Sequence, residues 1–300
     1  MAHKQGSFAI PFLVCCAGVA LFSVMDAAMK GLSLTIGLYN ALFWRALTGS
    51  LLGLALMVLT RQRWPTRAVL RIHLLRGVVV AFMAALFFWA LLRLPLAEAI
   101  ALSFIAPLIA LYLAALLLGE AVGQQAIGAS LLGLVGVAVI LSGKLQGHYD
   151  ADALLGVAAI LGSAVLFAWN LVIQRQQAQL ASPMEVAFFQ HLVMLGVFAT
   201  GAPWLVLLPP LKAVPLVLLA ATLAFTSLAA LAWAYARAEA QRLIPVEYSA
   251  FVWAAVMGWL AFGERVTLST IAGALLIVVA CLIAARSKRT DIPHVEASAA

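Results

Sequence analysis

Three ionisable residues, Asp26, Arg45 and Glu98, stand inside long apolar stretches of the chain. A charged group in a membrane interior is costly unless paired or solvated, so each is a candidate for binding or proton chemistry. Asp26 lies about one turn before the end of the first apolar run, and Arg45 a turn or two into the second. At about 1.5 Å of rise per residue, both sit roughly 6–9 Å inside the same edge, and a salt bridge between them is feasible. The pair reads in two ways, as a lock between the first two segments or as a substrate or proton site. Glu98, at similar depth in the fourth run, could extend it; solvation beside Arg93 is the alternative. Asp26 and Glu98 are the two proton-coupling candidates.

Other polar residues have quieter readings. Asn170, an uncharged hydrogen-bonding group deep in its segment, is a cavity candidate, while His191 fits a satisfied packing residue. Arg76, one turn inside the third run, is explained by snorkelling to headgroups. Glu120 and Glu264 end their segments and are expected to anchor neighbouring helix ends. The aromatics Trp89, Phe104, Trp233, Tyr235, Tyr248 and Trp253 could stack on planar or cationic ligands, or form interfacial belts. Gly49 and Gly53 form a GxxxG pattern that permits close helix contact without specifying dimerisation. Cys15, Cys16 and Cys281 lie in apolar segments and read as packing residues. No metal-ligand spacing, HExxH, GxSxG or phosphate-cradling loop occurs, so no cofactor is expected and a membrane-embedded enzyme is the weaker reading.

The elements that must position these residues follow from composition. Of 300 residues, 66% are apolar and 10% charged, against roughly 25% charged in soluble domains. The net charge of +7 would suggest nucleic acid in a soluble protein; here its distribution along the chain carries the information. Apolar runs of about 20 residues each suffice to cross a bilayer as helices. Ten are predicted: Phe8–Lys30, Tyr39–Thr60, Ile72–Leu92, Pro95–Gly119, Gln124–Gly143, Ala153–Arg175, Met184–Leu208, Ala213–Ala236, Pro245–Gly263 and Thr267–Ala285. The expected fold is an all-α integral membrane protein with cytoplasmic tails at 1–7 and 287–300. One side collects Lys4, Arg61, Arg63, Arg67, Arg71, Arg175, Arg237, Arg242, Arg286, Lys288 and Arg289. The other collects Lys30, Arg93, Lys144, Lys212 and Arg265, and the positive-inside rule puts both termini in the cytoplasm.

The chain also repeats itself. A shift of 144 sets Trp89 on Trp233, Arg93 on Arg237, Gly119 on Gly263, Glu120 on Glu264 and Phe104 on Tyr248. Two five-helix halves, 8–143 and 153–286, are implied. Because five is odd, the second half enters the membrane inverted, which is an architecture of secondary transporters with a midplane site. Pro107 is matched by Phe251, so a kink there is expected in the first half only.

Finally, His73-Leu-Leu-Arg76-Gly77, Pro95-Leu-Ala-Glu98 through Phe104-Ile-Ala-Pro107, Leu118-Gly119-Glu120 and the second-half run Pro245 through Glu264 resemble the EamA-type transporters of the drug/metabolite transporter superfamily. The resemblance covers residues 8 to 286. It implies a monomer or homodimer in the cytoplasmic membrane that moves a small organic molecule by alternating access. Export is the commoner theme. The third and fourth runs look most similar to the branch that includes carriers of S-adenosylmethionine and riboflavin, and importers are the alternative.

Overall fold

The computed structural model describes residues 9–62, 64–118, 124–145, 151–178, 180–237, 243, 246 and 248–286. Every regular element among the described residues is helical. In a bilayer this follows from the backbone, because a helix satisfies its own N–H and C=O groups where water is absent. The helices are α1 (Ala9–Ile36), α2 (Leu38–Leu59), α3 (Arg67–Leu91), α4 (Leu96–Ser103), α5 (Ala106–Leu118), α6 (Gln124–Leu145), α7 (Ala151–Ala178) and α8 (Pro183–Ala199). A single turn, α9 (Ala202–Leu205), and a 3-10 turn at Leu211–Ala213 lead to α10 (Val214–Tyr235), α11 (Ala250–Phe262) and α12 (Leu268–Arg286).

Among the described residues, five helices are long and apolar enough to cross a membrane: Ala9–Ile36, Leu38–Leu59, Arg67–Leu91, Ala151–Gln174 and Leu211–Tyr235. The other five predicted spans correspond to shorter apolar helices, Leu96–Ala110, Ile127–Ser142, Pro183–Ala199, Ala250–Phe262 and Leu268–Ala280. Large apolar side chains such as Leu51, Leu59, Leu131 and Trp259 point outward, a surface suited to lipid. The polar tails and Glu120 lie outside the described residues.

The principal helix contacts pair α1 with α10, α3 with α7, α2 with α8 and α6 with α12. Each joins an early helix to a late one, so the two parts of the chain are interleaved. Small residues set these contacts. A Cβ on Gly49 would lie 2.1 Å from His191 Cδ2, and one on Gly53 would lie 2.9 Å from Phe188 Cδ2. The GxxxG face of α2 is therefore filled by α8 of the same chain. At the crossing of α6 and α12 a Cβ on Gly273 would stand 2.5 Å from the Gly136 carbonyl oxygen.

Two sequence expectations change. The fourth predicted span is interrupted at Phe104–Ile105, where Ile105 N–H bonds to Leu102 O (3.3 Å) and Leu108 N–H to Ile105 O (3.0 Å). The second half makes the same turn at Tyr248–Ser249, with Ser249 N–H to Val246 O (2.9 Å) and Val252 N–H to Ser249 O (3.0 Å). The break is not confined to the first half. Pro107 stands in the first turn of α5, where an N–H would have no intrahelical partner, so it tolerates the turn without causing it. The seventh predicted span is also too long. Helix α8 stops at Ala199, and residues 206–210 form a non-helical strap whose Pro209 and Pro210 cannot continue a helix.

Candidate functional site

Helix α1 continues past Lys30 to Ile36, so this lysine is interior to the helix and only 7% exposed. Its ammonium donates to Leu94 O (2.8 Å) and pairs with the Glu264 carboxylate, while Glu264 Oε2 accepts the Leu96 N–H (2.7 Å). Gly263 positions that glutamate. Its φ of 66° lies in the left-handed region, which ends α11 and returns the Glu264 N–H to Gly258 O at 3.1 Å. Nearby, the strap is tied to α2: Leu207 N–H donates to Asn40 Oδ1 (2.8 Å), Trp44 Nε1–H to Leu207 O (2.9 Å) and Tyr39 O–H to Phe198 O. Polar contacts thus join α1, the start of α4 and the end of α11, and separately join α2 to the strap and the end of α8.

A second polar group lies toward the other end, between α3, α7 and α8. Arg76 Nε–H donates to Asn170 Oδ1 (2.8 Å), and Nη1 donates to Gln177 Oε1. Gln177 Nε2 faces His73 Nδ1 at 2.7 Å, and His73 Nε2 faces Glu185 Oε1 at 2.9 Å. The neutral imidazole with its proton on Nε2 satisfies every member, giving one hydrogen-bond chain from guanidinium to carboxylate. The ring of His73 stacks on Phe189 at 4.7 Å and 16°. Arg76 does not snorkel. Helix α3 begins at Arg67, earlier than predicted, so Arg76 sits about 13 Å along it, turned toward α7 and 3% exposed.

The predicted pair Asp26 and Arg45 lies between these two groups. Both are buried, at 3% and 6% exposure, and each acts electrostatically on the other. They do not form a direct salt bridge, since no Arg45 nitrogen comes within 4.0 Å of the Asp26 carboxylate. Arg45 instead sets Nη1 3.5 Å from Met25 Sδ and its guanidinium 5.3 Å from the Phe88 ring centre. Asp26 Oδ1 and Arg45 Nε are enclosed without hydrogen-bond partners among the described residues. On α8, His191 bonds through Nδ1 to Ala187 O (2.8 Å).

The aromatics divide. Phe104 and Tyr248 meet edge to face, ring centres 5.2 Å apart. Trp89 and Trp233 are instead helix-end residues, each covered by the arginine one turn later. The Arg93 guanidinium lies 3.5 Å from the Trp89 ring centre and donates to Trp89 O (3.2 Å); Arg237 does the same over Trp233 at 4.2 and 3.3 Å. Tyr235 packs with Cys15, Val19 and Leu243 near the start of α1. Glu98, 6% exposed, lines a small cleft with Pro95, Gly258, Glu264 and Thr270. Sequence reasoning missed His73, Gln177 and Glu185. Their signal was available as polar residues near the joined ends of the third, sixth and seventh runs, without the contacts that make them one group.

These polar contacts couple neighbouring helices to one another. The chain matches the EamA-like transporter family over residues 9–142 and again over 154–286. It belongs to that family. It is also 30% identical, over 275 residues, to the pseudopaline exporter CntI of Pseudomonas aeruginosa strains UCBPP-PA14 and PAO1, covering 89% of this chain and 93% of each exporter. A solved crystal structure described only as that of a protein aligns with a TM-score of 0.61 at 21% identity, covering 92% of this chain and 96% of that one. That likeness bears on the fold alone. An EamA-family member with apolar helices of this length is a multi-pass membrane transporter.

Proposed function

We propose that this protein is a secondary active exporter of a small organic metabolite, working by alternating access between two inverted five-helix halves, residues 8–143 and 153–286. The carrying observation is the contact of Phe104 with Tyr248. These residues occupy matching positions of the two halves, and a residue touches its own repeat mate only near an axis relating the halves. The same relation exchanges the α1–α10 contact with the α3–α7 contact and supports a site where the halves meet. In this reading both termini are cytoplasmic, the Lys30–Glu264 group closes the outer end, and the His73–Glu185 group closes the inner end. Asp26, Arg45, Phe104, Asn170 and Tyr248 face the transported molecule, with Asp26 or Glu98 carrying a coupled proton.

The similarity to pseudopaline exporters makes pseudopaline the first substrate to try. Purified protein in liposomes should give saturable flux that is accelerated by unlabelled substrate on the opposite side. Linear, non-saturating flux would point to a channel, and a chemically altered product to an enzyme; either would sink the carrier reading.

A further inference from the structure

We infer that Arg76, framed by Asn170 and Gln177, is the subsite for a carboxylate group of the transported molecule, an inference that rests on the transport reading above. Arg76 is a buried cation, 3% exposed, and no carboxylate among the described residues lies within 4.0 Å of it. Its hydrogen bonds from Nε and Nη1 go to neutral amides. A buried charge held by neutral acceptors alone is costly to keep, and the usual solution is an opposite charge with matching geometry.

The fold does not require this charge. The matching second-half position is Ala220, fully buried and apolar in the equivalent contact of α10 with α1. The two amides engage Nε and Nη1, fix the plane of the guanidinium and leave Nη2 without a hydrogen bond among the described residues. Nη2 also escapes the full enclosure that holds Arg45 Nε. A guanidinium whose Nη2 donors remain free fits a carboxylate oxygen through a charge-assisted hydrogen bond. Charge selects a carboxylate over a phosphate. One guanidinium balances one negative charge, and Glu185, linked through Gln177 and His73, repels a dianion.

The test uses purified full-length protein in detergent and its thermal stabilisation by matched probes: a panel of free L-amino acids against their C-terminal amides. At least one free carboxylate should stabilise the wild type, with its amide about tenfold weaker or more, the discrimination typical of a charge-assisted hydrogen bond. Arg76→Gln should abolish that preference, while Arg93→Ala, at a helix end outside the proposed site, should keep it. Because Arg76→Gln could unfold the chain, Asn170→Asp is the second variant. It sets a protein carboxylate against Nε, retains the guanidinium and should also abolish the preference. Equal response to acid and amide, no response to any acid, or a preference surviving in Asn170→Asp would each overturn the assignment. Flux in liposomes is measured separately, so a binding protein that moves nothing would refute transport and leave the subsite standing.

Discussion

Lys30 and Glu264 bond to each other and, separately, to the two backbone groups flanking Pro95: the Leu94 carbonyl and the Leu96 amide. One ion pair therefore neutralises two buried charges, caps the end of α3's loop and starts α4. Replacing Glu264 by Ala leaves a mostly buried ammonium unpaired and an amide uncapped. We expect a loss of about 2 kcal/mol, below the range for a fully buried pair because Glu264 retains some exposure. Lys30→Met combined with Glu264→Gln should recover much of it. Thermal unfolding in detergent measures both, and a Glu264→Ala protein as stable as wild type would contradict the assignment.

The seat of His191 on Gly49 makes a second prediction. Gly49→Ala forces a methyl group to 2.1 Å from the imidazole and should cost about 1–3 kcal/mol through overpacking. His191→Ala in the same chain should relieve most of that cost, since the two substitutions act on one contact. Additive losses in a double-mutant cycle would show that the contact is not the cause.

The two Trp–Arg pairs should behave as helix-end fittings. Arg93→Ala and Arg237→Ala remove a partly exposed cation–π contact and should each lower stability by under about 1 kcal/mol. Transport should persist near the wild-type rate. A selective loss of flux with normal folding would return Trp89 or Trp233 to the substrate path.

Phe104 and Tyr248 carry the opposite expectation. Phe104→Ala or Tyr248→Ala empties the contact between the proposed halves and should reduce liposome flux about tenfold or more, with folding retained. Tyr248→Phe keeps the ring and should stay close to wild type. Full flux in both alanine variants would remove the contact from the transport pathway.

The His73 chain predicts a specific asymmetry. His73→Leu leaves Glu185 and Gln177 without their shared partner and should cost about 2–3 kcal/mol, the penalty for stranding buried polar groups. His73→Gln offers both a donor and an acceptor and should lose less. Equal losses for Leu and Gln would show that ring packing on Phe189, not hydrogen bonding, holds this group.

The helical class, the membrane setting and most helix positions were legible in the sequence because they depend on local properties. Apolar length decides whether a segment can cross a bilayer, and proline and glycine mark where helices end. The Trp-x3-Arg register was legible too, since the cation folds over a ring one turn away on the same helix. Partnership across helices was not. Arg76 read as a snorkelling residue because its depth was judged from hydropathy, whereas its direction toward Asn170 and Gln177 is set by how α3 packs on α7. The same applies to Asp26 and Arg45. Spacing put them at one depth, but only the rotation of α1 against α2 decides whether nitrogen meets oxygen, and here Met25 and Phe88 take the guanidinium. Sequence determines which groups enter the membrane; packing geometry decides which of them meet, because hydrogen bonds and ion pairs depend on ångström-scale direction that no one-dimensional spacing encodes.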